Sequence, residues 1–223
     1  MRRPTQRRRP EGFPRGFGGF CGVWVRKTEA FSLLELLVVV LIMLLLTTLY
    51  WGGRSDKGAR QKQAACLNNL QKMFIAMEIY SNEQNGKFPE LAGASTSEEA
   101  LALLVPKYNA DLSLFICPGS KDLPLSAGQP LRGSRISYAY YMGRRATDAR
   151  AVLMSDQQVD SRPKAVGQDV FSNTGKPPGN NHDKSGGNFL FCDGQAEAGP
   201  VRAPFPILLT QGVTLLNPKS QPR

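Results

Sequence analysis

The sequence is short of the residues that build most catalytic and metal sites. It has a single histidine, His182, which excludes any site needing two imidazoles from one chain. It has four cysteines, none spaced Cys-x-x-Cys, and it lacks a His-Glu-x-x-His pair and a glycine-rich phosphate loop. Acidic residues are also scarce, 18 against 28 Lys and Arg, so the formal net charge is +10. Only one long apolar run is present and mean hydropathy is −0.28, which excludes a polytopic membrane protein. The apolar share is 41%, enough for a core, so wholesale disorder is excluded as well. A length of 223 residues suits one domain with an appendage.

What is present is unevenly placed. Arg2, Arg3, Arg7, Arg8, Arg9, Arg15, Arg26 and Lys27 crowd the first 30 residues, against Glu11 and Glu29 alone. A basic chain raises nucleic acid as a partner. Here the excess lies just ahead of an apolar run, which points to membrane orientation instead, and no nucleic-acid partner is expected. Residues Phe31–Trp51 carry one side chain charged at neutral pH, Glu35. As a helix at about 1.5 Å per residue, that run spans roughly 30 Å, the hydrocarbon thickness of a bilayer. A cleaved secretory signal is the alternative, but the run is long for one, and no small-x-small site follows it. Tyr50 and Trp51 suit the membrane interface. A carboxylate inside a spanning helix costs up to about 3 kcal/mol at the centre, so Glu35 either calls for a partner or lies near the membrane edge and snorkels to it.

The stretch Lys27-Thr28-Glu29-Ala30-Phe31-Ser32-Leu33-Leu34-Glu35, followed by Leu36–Val40, resembles the processing motif of type IV prepilins and type II secretion pseudopilins. The resemblance implies cleavage between Ala30 and Phe31 by a prepilin peptidase, which also methylates the new Phe31 amine. Ala30 stands where that family usually has Gly. A further set resembles the large pseudopilin-like families of planctomycetes and verrucomicrobia. It comprises Cys66–Leu70, Asn85-Gly86-Lys87-Phe88-Pro89, Phe115-Ile116-Cys117-Pro118, Ser137–Tyr140 and a C-terminal His182…Asp193-Gly194 signature. The implied fold is pilin-like α+β, a long N-terminal helix packed on a small antiparallel sheet. The implied organisation is a leader (1–30), a membrane or filament-core helix (31–53), an extracytoplasmic domain (54–217) and a tail (218–223).

Beyond Gly53 the helical pattern continues. Cys66, Leu70, Met73, Met77 and Tyr80 recur at steps of three and four, with Leu67 and Phe74 beside them, so one face seeks a core. Ile75 and Ile79 fall off that face and are assigned to contacts with other subunits. Asn85-Gly86 and Pro89 stop the helix. A short helix is expected in Ser95–Tyr108, and strands at Leu114–Cys117, Ile136–Met142, Ala151–Ser155 and within Ile207–Leu216. Residues 118–135 and 156–187 read as loops. Phe189–Phe191 and Gln195–Ala198 flank Asp193-Gly194 as a hairpin whose two turn residues both take positive φ.

Three cysteines remain after cleavage, since Cys21 leaves with the leader. An extracytoplasmic domain permits disulfides. Cys66 with Cys117 is the favoured pair, three buried free thiols are the alternative, and Cys192 is left over. His182, Asp183, Cys192 and Asp193 could form a metal or Cys/His site, but turn and hydrogen-bonding roles account for them. The pseudopilin resemblance makes calcium the expected ion, if any, held by Asp183, Asn188 and Asp193. The expected role is structural and not enzymatic. The chain would be a pseudopilin in the bacterial inner membrane, with a cytoplasmic N-terminus and a periplasmic domain. Its expected partners are the prepilin peptidase, further copies and minor pseudopilins, the inner-membrane assembly platform and the bilayer. A type IV pilus subunit, or a signal-anchored binding domain or enzyme, are the alternatives.

Overall fold

A computed structural model describes residues 32–51, 54–174 and 181–220. The Ala30–Phe31 junction lies outside the described residues. Contacts divide the chain into two units, Met1–Leu49 and Tyr50–Arg223.

Helix α1, Leu33–Trp51, starts at Ser32. The Ser32 hydroxyl and carbonyl accept the amides of Leu34, Glu35 and Leu36, as an N-cap does. Every apolar side chain from Leu33 to Leu49 that could cover a core is exposed. The hydroxyls of Thr47 and Thr48 bond back to the Leu44 and Leu45 carbonyls at 2.8 Å, so the helix satisfies its own polar groups. Leu33–Tyr50 is long and apolar enough to cross a membrane.

The long N-terminal helix implied by the resemblance corresponds to α1 and α2, with Gly52 and Gly53 outside the described residues. Helix α2, Arg54–Glu83, ends where Asn85 and Gly86 take positive φ, 55° and 80°. Its buried face is the one the spacing defines: Cys66, Leu70, Met73 and Met77 are fully buried. Ile75 and Ile79, one turn apart, are exposed. Helix α3, Ser97–Leu101, occupies the expected second helical segment and continues as a 3-10 turn, Ala102–Leu104.

Five strands form one antiparallel sheet: β1 (Tyr138–Met142), β2 (Val152–Asp156), β3 (Gly187–Phe191), β4 (Ala196–Gly199) and β5 (Thr214–Leu216). Their order is β4-β3-β2-β1-β5. The chain is therefore α+β with an N-terminal apolar helix and a five-stranded antiparallel sheet. The Leu114–Cys117 run differs from expectation: Leu112–Phe115 is a 3-10 turn capped by the Asp111 carboxylate, which accepts the Ser113 amide.

Both faces of the sheet are buried, and strand alternation sorts the residues between them. Tyr138, Tyr140, Met154 and Leu190 face the α2 side. Ala139, Tyr141, Phe189 and Leu215 face a second core with Val170, Phe171, Ala203 and Ile207. The 156–187 segment, read as loop, thus supplies part of the cover. It is held by backbone bonds from Val170 to Val201 and between Lys164 and Ile207. Lys219, read as tail, is also held: its amide donates to buried Glu98 at 2.7 Å and its carbonyl accepts from Arg135. Burial raises the Glu98 pKa, and the Lys219 amide bond partly opposes it.

The β3–β4 turn differs from the expected form in one respect. Gly194 has φ of 85°, but Asp193 stays at negative φ. The Gly194 amide donates to the Phe191 carbonyl and the Phe191 amide to the Gln195 carbonyl, as in a three-residue turn with a glycine bulge. A Cβ at Gly194 would run into the Phe74 ring of α2. Gly194→Val therefore combines backbone strain with overpacking and should cost about 2 kcal/mol. The expected readout is a Tm lower by roughly 6 °C; an unchanged Tm would show that the turn does not dock on α2.

Candidate functional site

Two features stand out: the carboxylate of α1 and a buried polar cluster beneath α2.

Glu35 lies in the first turn of α1, the one acidic or basic residue in that helix. A carboxylate there is favoured by the positive end of the helix dipole.

The cluster gathers residues from four segments. Cys66 is contributed by α2, and Cys117 follows the Leu112–Phe115 turn. Asp156 ends β2, and His182 precedes β3. All four residues are buried, and one Sγ, N or O atom from each lies within 4.8 Å of the others. Cys66 Sγ is 3.1 Å from Asp156 Oδ1. Cys117 Sγ is 3.2 Å from His182 Nε2, which is 3.4 Å from Asp156 Oδ2.

A further ring of groups fixes these four. The Asn188 backbone amide donates to Asp156 Oδ2 at 2.7 Å, and its side-chain nitrogen does so at 3.2 Å. Asn181 Nδ2 donates to Oδ1 at 2.9 Å. The Tyr138 hydroxyl lies 3.3 Å from Cys66 Sγ, and the Gly119 amide donates to Cys117 Sγ at 3.3 Å. A Cβ on Gly119 would collide with the His182 ring, so glycine makes room for the imidazole.

Electrostatics set the two thiols apart. Burial, then the Cys117 contact, push the Cys66 thiol well above its ordinary value. Burial opposes ionisation of Cys117 too, but its contacts with Cys66 and His182 bring it below the usual thiol value. At His182, burial opposes the charged ring, while the Cys117 contact and the Asp156 charge raise its pKa.

Two sequence-based assignments need correction. Cys66 and Cys117 do meet, but as free thiols and not as a disulfide. Each sulfur instead has polar neighbours of its own, Asp156 and Tyr138 for Cys66, His182 and Gly119 for Cys117. The three expected calcium ligands sit in different local settings. Asn188 and Asp193 lie at opposite ends of β3, and Asp193 Oδ1 accepts the Gln195 amide within its own turn. Asp183 sits in the 3-10 turn Asp183–Ser185. Asn188 presents its amide nitrogen, not its oxygen, to the cluster. The histidine does pair with a cysteine, but the partner is Cys117 and not Cys192. Asp156 was not singled out by sequence; an aspartate closing the apolar run Val152-Leu153-Met154 was the available signal.

Cys192 is buried apart from the cluster, and burial pushes its thiol up to about 12. Little thiolate then exists at pH 8. Native protein should leave Cys192 unalkylated by iodoacetamide over hours, with full reaction after unfolding. Rapid native labelling at that position would show it to be accessible.

No known protein family, curated protein or solved structure matches this chain.

Proposed function

We propose that the chain is a filament subunit of the pseudopilin type, serving a type II secretion-like export apparatus in a bacterial inner membrane. The supporting observation is α1, an apolar surface exposed on all sides with one carboxylate in its first turn, preceded by a basic segment. A bilayer can solvate such a surface before assembly, and neighbouring copies can cover it afterwards. Cleavage before Phe31 creates an α-amine close in sequence to Glu35. In a low-dielectric filament core, that amine and the Glu35 carboxylate of an adjoining subunit neutralise one another and fix register. The exposed Ile75–Ile79 pair on α2 offers a second apolar contact for a neighbouring copy.

Intact mass spectrometry of chain purified from cells with an active prepilin peptidase tests this reading. A mature N-terminus at Phe31 bearing one methyl group is the expected result. An uncut leader under those conditions would leave a signal-anchored domain instead.

A further inference from the structure

We propose that Cys66, Cys117, Asp156 and His182 form a structural binding site for a thiophilic divalent cation, zinc, which ties α2 to the sheet. The inference goes beyond the filament reading and holds whether or not the chain polymerises.

The donor set selects the ion. Two sulfurs, one imidazole nitrogen and one carboxylate form a borderline-soft set suited to four-coordinate zinc. Calcium requires six to eight oxygens, and only one carboxylate is present here.

The spacing is compatible with it. With zinc–ligand bonds of about 2.0–2.3 Å, the edges of a ligand tetrahedron measure roughly 3.3–3.8 Å. Cys66 Sγ lies 3.1 Å from Asp156 Oδ1, Cys117 Sγ 3.2 Å from His182 Nε2, and His182 Nε2 3.4 Å from Asp156 Oδ2, and one donor atom from each residue lies within 4.8 Å of the others. These separations bracket the edge lengths of such a tetrahedron, so an ion would enter with local adjustment of the four side chains.

The surroundings are those a metal site needs. Asn181 and Asn188 orient the carboxylate, and the Gly119 amide points at the Cys117 sulfur, where it would stabilise a thiolate. The Asn188 side chain is held in this role although its Oδ1 has no hydrogen-bond partner among the described residues. A cavity of about 300 Å³, lined by Lys62, Gly119, Asn181, His182 and Asp183 among others, opens beside the imidazole and supplies an entry path.

Charge and protons balance. Zinc displaces one proton from each thiol, Asp156 binds as carboxylate and His182 binds through neutral Nε2. Two thiolates, one carboxylate and the dication leave a net charge of −1, which the Asn188 and Asn181 donors offset. Nothing is oxidised or reduced. The same two sulfurs could instead lose two electrons and two protons to an external oxidant and form a disulfide; that product competes with metal and is a separate outcome of the test.

The full chain in detergent, stripped with chelator under reductant and exchanged into buffer with excess magnesium, is titrated with zinc and, separately, with cobalt(II). Expected are one zinc per chain retained through gel filtration and a Tm rise of roughly 10 °C. Cobalt should give intense visible bands of a tetrahedral site with a thiolate charge-transfer band. Cys192→Ser should leave these unchanged, and Cys117→Ser should remove the charge-transfer band or weaken it about twofold. If Cys117→Ser does not fold, the wild-type cobalt spectrum decides alone. Absence of retained zinc, a cobalt spectrum without thiolate bands, or a Cys66–Cys117 disulfide forming in zinc-loaded protein would each overturn the proposal.

Discussion

Glu35→Ala is expected to leave membrane insertion and leader cleavage intact while abolishing filaments. Neither step needs the carboxylate: insertion is driven by the apolar run, and the scissile bond lies on the other side of Phe31. Assembly in the proposed filament does need it, because without it every added subunit would bury an unpaired α-amine against apolar side chains. Each ~1.4 kcal/mol lost per subunit lowers the equilibrium for addition tenfold. A stranded buried charge costs about 3–5 kcal/mol, enough to shift assembly more than a hundredfold. Processed Glu35→Ala chain should therefore accumulate in the membrane fraction, with sheared filaments missing from the medium and from electron micrographs. Normal filament yield from this variant would remove charge pairing from the mechanism. Glu35→Asp, which keeps the charge but shortens its reach, should fall between.

The largest expected stability effect belongs to Asp156. Its carboxylate accepts from the Asn188 backbone amide, the Asn188 and Asn181 side chains and the Cys66 thiol, all buried. Asp156→Ala strands those donors at once and should destabilise the folded domain by about 3–4 kcal/mol, even with chelator present to exclude any metal contribution. In a chain of this size, that lowers Tm by roughly 10 °C. Asp156→Asn keeps the shape and one acceptor oxygen and should cost less. A loss below about 1 kcal/mol for the alanine variant would show that the carboxylate is not the hub joining β2, β3 and the His182 segment.

Much of the architecture was legible because it follows from periodicity. Cys66, Leu70, Met73 and Met77 are where steps of three and four place them. The Asn85-Gly86 stop and the Asp193-Gly194 hairpin also fall where their turn chemistry indicates. Other parts were not legible, for identifiable reasons. The Leu114–Cys117 run has strand-like composition, yet Asp111 captures the Ser113 amide and starts a 3-10 turn. The second core was hidden because Val170 and Phe171 are isolated apolar residues in a segment otherwise rich in Gly, Pro, Ser and Asp. The cluster was half legible. His182 and two of the cysteines attracted notice as chemical groups, but Cys117 and His182 are 65 residues apart and Cys66 and Asp156 are 90 apart. No local spacing reports such a meeting, and only sheet order brings the four segments together.

The docking of β3 along α2 has a consequence for chain length. Near its start, Gln63 of α2 bonds the Ser185 and Gly187 carbonyls, and past its end Gly194 rests on Phe74. Between Gln63 and Phe74 the helix advances about 16 Å, which five extended residues also cover. Strand and helix therefore gauge one another like the two scales of a vernier. A single residue inserted into Gly187–Phe191 would overshoot Phe74 and turn Phe189 and Leu190 onto each other's sides of the sheet. Insertions should consequently be tolerated only in segments outside that span.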